Sequence, residues 1–239
     1  MLFLSRSVNM LVYSAYQPIY SLDNMKIMGY EALIRSHAGL SPGELFITAE
    51  KEGKTVEFDI KCINSSISNI AKISGILFMN IRPSTLILLF KNHTNWFKRN
   101  IPKDKVVLEI TEVEEIIDME CFLKILKELR KWGYRYSIDD IATGYNRIHL
   151  VINSTPDFIK LDGPIVKDCD QSTNKRSVIK HLVAIGKDIG STVIAENIEN
   201  SRELQTVQDL EVSYAQGFYL GKPTIDLDRM VQYRNNNLA

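Results

Sequence analysis

Thiols are scarce in this chain of 239 residues. The three cysteines, Cys62, Cys121 and Cys169, lie far apart, with no Cys-x-x-Cys spacing. That excludes a disulfide framework and a thiolate zinc site, and suits a reducing, cytoplasmic compartment. The four histidines, at 37, 93, 149 and 181, have no metal-ligand spacing either. Charge of one sign is not in excess: Lys+Arg and Asp+Glu are 29 each. A binder of polymeric nucleic acid would carry a basic surplus or stripe, so that class is set aside. A small anionic ligand needs only a few local cations. No apolar run is long enough to span a bilayer; the opening MLFLSRSVNMLV is broken by Arg6 and Asn9 and shows no credible leader cleavage site. No low-complexity or Pro/Gly/Ser-rich linker divides the chain. A single domain spanning 1–239, with 1–12 as an extension ahead of it, is therefore expected.

What is present is alternation. A strand at 16–20, a turn at Asp23-Asn24 and a strand at 30–35 suggest an antiparallel hairpin. A helical stretch follows over 41–73, closing near Gly75. Then come the apolar runs ILFMNI, VVLEI, YRYSIDDI, DFIKL, TVIAEN and AQGFYL, rich in residues that favour strands. Amphipathic segments separate them at 121–132, 175–190 and 201–210. In the first of these, Phe122, Ile125, Leu126 and Leu129 fall at helical spacing, and Gly133 supplies a C-terminal cap. Eight strands, most of them apolar throughout and joined by helices, predict an α/β fold, a TIM-like (β/α)8 barrel whose first strand pair is antiparallel. A doubly wound open sheet is the alternative.

Polar residues recur where strand after strand ends. Glu31 lies in the hairpin; Asn80 ends LFMN, Glu109 ends VVLE, Asp139 and Asp140 end YSIDD, Lys160 ends DFIK, Glu196 ends VIAE, and Gln216 is expected within the last strand. In a barrel these converge on the rim where such folds place their chemistry. A lone acid at a strand end is ordinarily a cap or a solvated turn. Five gathered carboxylates would repel one another unless cations were present. Oxygen donors without thiol or imidazole point to Mg2+ or Mn2+, and a pair of such ions suits metal-assisted hydrolysis of a phosphate ester.

The chain resembles the EAL family of cyclic di-GMP phosphodiesterases. The naming motif stands in YEALIR, with YQPIY ahead of it. FMNI, LEITE, SIDDIATGYN, FIKLD, VIAENIE and AQGFYLGKP follow in the family's order, from about Tyr16 to Pro223. The resemblance implies hydrolysis of cyclic di-GMP to linear pGpG. It implies that Glu31, Asn80, Glu109 and Asp139 ligate one metal ion, and that Asp139 and Asp140 hold a second. Lys160 would orient the attacking water, and Glu196 would act as base or as a further metal-site carboxylate. Leu33, Arg35 and Gln216 would contact substrate. Glu112, Thr143 and Gly144 would anchor the loop after the aspartates. Asp162 and Glu199 belong to the same motifs and would lie close to the site. A homodimer formed near that loop is also implied.

Some positions depart from the pattern. In IATGYN, Ile141, Ala142 and Asn146 replace Phe, Gly and Ser, and Asn197 stands where the family has Gly. Asn tolerates left-handed backbone better than most residues; Ala does not. An alternative function follows from the altered loop: a barrel that binds cyclic di-GMP or a protein partner without useful turnover.

Overall fold

A computed structural model describes residues 10–92, 94–141 and 147–227. Eight strands, β1 (Val12–Ser21), β2 (Ile27–Ser36), β3 (Ile76–Ile81), β4 (Val106–Ile110), β5 (Arg135–Ile138), β6 (Phe158–Leu161), β7 (Thr192–Ala195) and β8 (Tyr214–Ala215), close into a barrel in chain order. β1 runs antiparallel to both of its neighbours, β2 and β8. The pairs from β2–β3 to β7–β8 are parallel. The expected barrel and its antiparallel opening pair are thus present, and the open-sheet alternative is not.

Period-two alternation decides what each strand sends inward. Ile19, Phe78, Val107, Phe158 and Ile194 meet inside the barrel as an apolar plug, with Phe78 and Phe158 edge-to-face at 5.0 Å. Alternate residues pack outward beneath the helices. The helix Met119–Lys131 buries Phe122, Ile125, Leu126 and Leu129, the stripe expected from their spacing. It starts on Asp118, whose carboxylate accepts from the Cys121 amide, and ends before Gly133 at φ +87. Gly29 is needed for close approach instead. A Cβ there would lie 2.1 Å from the Ile76 carbonyl oxygen, so only glycine lets β2 and β3 pair at this point.

Some boundaries differ from the sequence expectation. The single helix over 41–73 is two helices, Pro42–Lys51 and Thr55–Ile67, followed by a 3-10 turn at Ile70–Lys72. The break falls at Gly53, whose φ of +64 ends the first helix. β1 and β2 extend beyond 16–20 and 30–35. β8 is shorter than expected: Gln216 lies just past it, although its amide still donates to the Ala195 carbonyl at 2.9 Å.

The second of these helices carries a buried acid. Asp59, 3% exposed, accepts from the Arg82 amide at 3.0 Å. Arg82 pairs in turn with Glu114 at 3.3 Å, stitching the end of β3 to the segment after β4. Burial pushes the Asp59 carboxyl up to about 6, against the lowering pull of its hydrogen bonds and Arg82. A carboxyl with a raised folded-state pKa favours folding when protonated, and that contribution is lost as pH climbs through about 6. Asp59→Asn, which mimics the protonated form, will therefore gain on the parent as pH rises from 4 to 8. The shift of about 2 pH units corresponds to ~3 kcal/mol at most. Urea melts across that range check this; equal pH slopes in the two proteins would refute it.

Candidate active site

Above the plug, each strand, or the residue just past its end, contributes one polar side chain. Counting two residues along each parallel strand from its inward position leads from Gly29 to Glu31, Phe78 to Asn80, Val107 to Glu109 and Ser137 to Asp139. The same step leads from Phe158 to Lys160, Ile194 to Glu196 and Tyr214 to Gln216. On the reversed strand β1 the count runs backwards, from Ile19 to Gln17. Gln17 was missed in the sequence. It is buried, stands opposite Glu31 in the β1–β2 register, and donates to the Gly221 carbonyl at 3.0 Å. The available signal was its step of two from Ile19, legible only once the strand's direction is known.

Lys160, 1% exposed, is the hub. Its ammonium lies 3.2 Å from Glu31, 2.6 Å from Glu196 and 3.4 Å from Asp139, and it also bonds Glu109. Gln216 Nε2 donates to Glu31 at 2.5 Å and to Glu196 at 2.7 Å. Asn80 Nδ2 donates to Glu31 at 3.2 Å. Burial alone would raise Glu31, but Lys160, Gln216 and Asn80 together hold it below its ordinary value. Burial dominates elsewhere. Glu109 and Glu196 are pushed well up, with neighbouring carboxylates adding to the effect. Asp139 is raised by burial against the pull of Lys160. Burial, then Asp139 and Glu112, bring Asp140 up to about 7. Lys160 goes the other way: burial disfavours its charge, yet the surrounding carboxylates raise it well above the usual lysine value.

One ammonium among this many acids leaves an excess of negative charge, and the donor set fits divalent cations. Asp139, Asp140 and Glu196 each offer an oxygen within 4.8 Å of the others, a spacing a metal ion can bridge. Glu109 Oε2 and both oxygens of Asp162 are buried with no hydrogen-bond partner among the described residues. Asp162, 2% exposed, adds to the repulsion on Asp140 and so belongs to the same electrostatic cluster. Hard oxygen donors of this kind suit Mg2+, Mn2+ or Ca2+.

Other expected site residues sort differently. Leu33 and Arg35 are half-buried, on the Glu31 face of β2 and further along it. Arg35 Nη1 bonds the carbonyl of Ile34 at 2.8 Å. Glu112 is half-buried in the turn after β4, within electrostatic reach of both aspartates. Thr143 and Gly144, with Ala142 and Asn146, lie outside the described residues. Glu199 is not brought to the ring: it is exposed and sits 3.8 Å from Lys167. Asn197 takes φ +55, the left-handed geometry expected of a residue in a glycine position.

A family model, the EAL domain, matches residues 4–223. The chain belongs to the EAL domain family. The match begins ahead of Tyr16, so the first strand is included whole. The probable cyclic di-GMP phosphodiesterase PdeA of Escherichia coli K12 is 30% identical over 179 residues, 71% of this chain and 24% of that protein. The calcium/cyclic-di-GMP complex of Klebsiella pneumoniae BlrP1 is 29% identical with a TM-score of 0.79, covering 94% of this chain and 58% of that one. An EAL domain protein from Listeria monocytogenes has a TM-score of 0.82 at 20% identity, covering 94% of this chain and 93% of that one, a likeness of fold. The first curated relatives are much longer; the chain spans 24–32% of their length. Among the described residues no helix is long and apolar enough to cross a membrane.

Proposed function

We propose that this EAL domain is a divalent-metal-dependent phosphodiesterase that opens cyclic di-GMP to linear pGpG. The supporting observation is the ring itself: one polar side chain from each strand or from just past its end, with acids crowded about a single lysine at the barrel rim. Similar proteins whose names specify cyclic di-GMP phosphodiesterase or a cyclic-di-GMP complex, with calcium or manganese, point the same way.

Glu31, Asn80, Glu109 and Asp139 would hold one Mg2+ or Mn2+; Asp139 and Asp140 would hold another, with Glu196 and Asp162 beside them. Such ions lower the pKa of water and offset charge on phosphoryl oxygens. Lys160 orients the attacking water by its fixed ammonium. Glu196, whose proton affinity burial has raised, accepts the proton that water gives up. The new P–O bond forms as the bond to the ribose 3′ oxygen breaks, and that oxygen leaves taking a proton from solvent water. Arg35 contacts a phosphate, Gln216 a guanine, and Leu33 supplies apolar surface between them. Glu112 would anchor the loop after the aspartates. The reaction belongs in the cytoplasm. Ile148 and Ile152, exposed one turn apart on the helix Arg147–Ser154, support a homodimer through that face.

The test is incubation of the purified chain with cyclic di-GMP and Mg2+ or Mn2+, beside a chelated control and a metal-free binding titration. Conversion to pGpG that stops on chelation is the expected result. Tight binding without conversion would make the domain a receptor. Neither binding nor conversion would overturn both readings.

A further inference from the structure

The barrel does not end at the polar ring on every side. The β2–β3 ladder runs only from Gly29 to Ala32, whereas the β1–β2 ladder continues to Val12 and Ser36. Beyond Ala32 the two strands therefore form a two-stranded ribbon standing past the rim. Residues directly opposite in an antiparallel pair share a face. Gln17 stands opposite Glu31, Ala15 opposite Leu33 and Tyr13 opposite Arg35. The face that sends Gln17 and Glu31 into the ring thus carries Tyr13 beside Arg35 higher up. Four residues of strand place Tyr13 about 13 Å along β1 from Gln17, a span that a nucleoside covers.

Tyr13 is not alone there. His37 continues the same face, and its ring meets that of Tyr13 with centroids 4.8 Å apart at 54°. His37 is exposed and Tyr13 half-buried. Tyr13 and His37 line a cavity of about 790 Å3 that Lys61 and Asn64 of the helix Thr55–Ile67, with Asn69, also bound, so neither is sealed in the core. Tyr16, three residues on and so on the opposite face of β1, is buried instead, with its hydroxyl donating to the Ser66 carbonyl at 3.1 Å.

We propose that Tyr13, braced by His37, stacks one guanine of the substrate, next to the phosphate contact made by Arg35. The inference rests on the cyclic di-GMP reading above and adds a base-binding residue to it. A purine face on an aromatic ring, remote from the breaking bond, contributes to substrate binding equally before and during the reaction.

Tyr13→Leu is accordingly expected to raise KM for cyclic di-GMP about tenfold with kcat unchanged. Tyr13→Phe, which keeps the ring, should restore the parent KM. Methyl p-nitrophenyl phosphate, a phosphodiester with no purine and too short to reach Tyr13, should be cleaved equally by all three proteins. An unchanged KM in Tyr13→Leu, failure of Phe to rescue, or an equal loss on the small phosphodiester would each overturn the stacking role. If the parent converts cyclic di-GMP while Tyr13→Leu matches it, stacking alone fails. If the parent does not convert cyclic di-GMP at all, the functional reading fails and this inference falls with it.

Discussion

Asp139→Asn will lower turnover of cyclic di-GMP by on the order of 10³-fold while making the chelated protein harder to melt at pH 8. Both effects come from one cause. Asp139 is shared between the Lys160 hub, at 3.4 Å, and the cluster with Asp140 and Glu196. As a ligand to both ions it would be lost for each, and charge-stabilising groups at a reacting phosphate commonly contribute on that scale. Without metal, however, the same carboxylate is a liability: burial raises its proton affinity, and it raises that of Asp140, Glu109 and Glu196 in turn. Removing its charge relieves the repulsion, an exchange of stability for activity common at functional sites. Glu31→Ala should lose turnover similarly. Product chromatography and thermal melts in chelator test the pair of effects. Full activity in either variant would end the ligand assignment; a lower melting temperature for Asp139→Asn would end the repulsion argument.

Lys160→Met is expected to cost the fold about 3–5 kcal/mol at pH 8 in chelator, the usual result of stripping the partner from buried charges. Little should be lost at pH 5. Glu109, Glu196, Asp139 and Asp140 have raised pKa values, so protonation at low pH relieves their unpaired charge, and that relief is lost as pH rises. Millimolar Mg2+ should return most of the lost stability, because it supplies the positive charge that the lysine supplied. Turnover should not return, since the metal cannot also orient the water. Urea melts at the two pH values, with and without Mg2+, separate these outcomes. A variant as stable as the parent in chelator would show that the acids never needed the ammonium.

Much of this site was legible in sequence because barrel geometry converts spacing into position. Asn80, Glu109, Lys160 and Glu196 each close an apolar run, and a parallel strand sends its end to the rim whatever the neighbours do. The boundaries were less legible. Nothing in YRYSIDDI marks where pairing stops, yet Asp140 adopts φ +46 and ends it. Gly53 was visible, but a glycine within a helical pattern does not reveal whether it breaks the helix or is carried through it. Gln17 and Tyr13 were invisible for another reason. Their relevance depends on register across an antiparallel pair, and a shift of one residue would have turned both outward. Glu199 differs in the opposite sense: motif proximity suggested the site, but its exposed side chain lies beside Lys167.

The reversal of β1 has a mechanical consequence. In a barrel whose strands all run the same way, the first strand begins at the end remote from the chemistry. Here Val12 begins it beside Ser36, past the catalytic rim, and the strand descends from there to Ser21. A tether joined ahead of Val12 is therefore delivered to the mouth of the site.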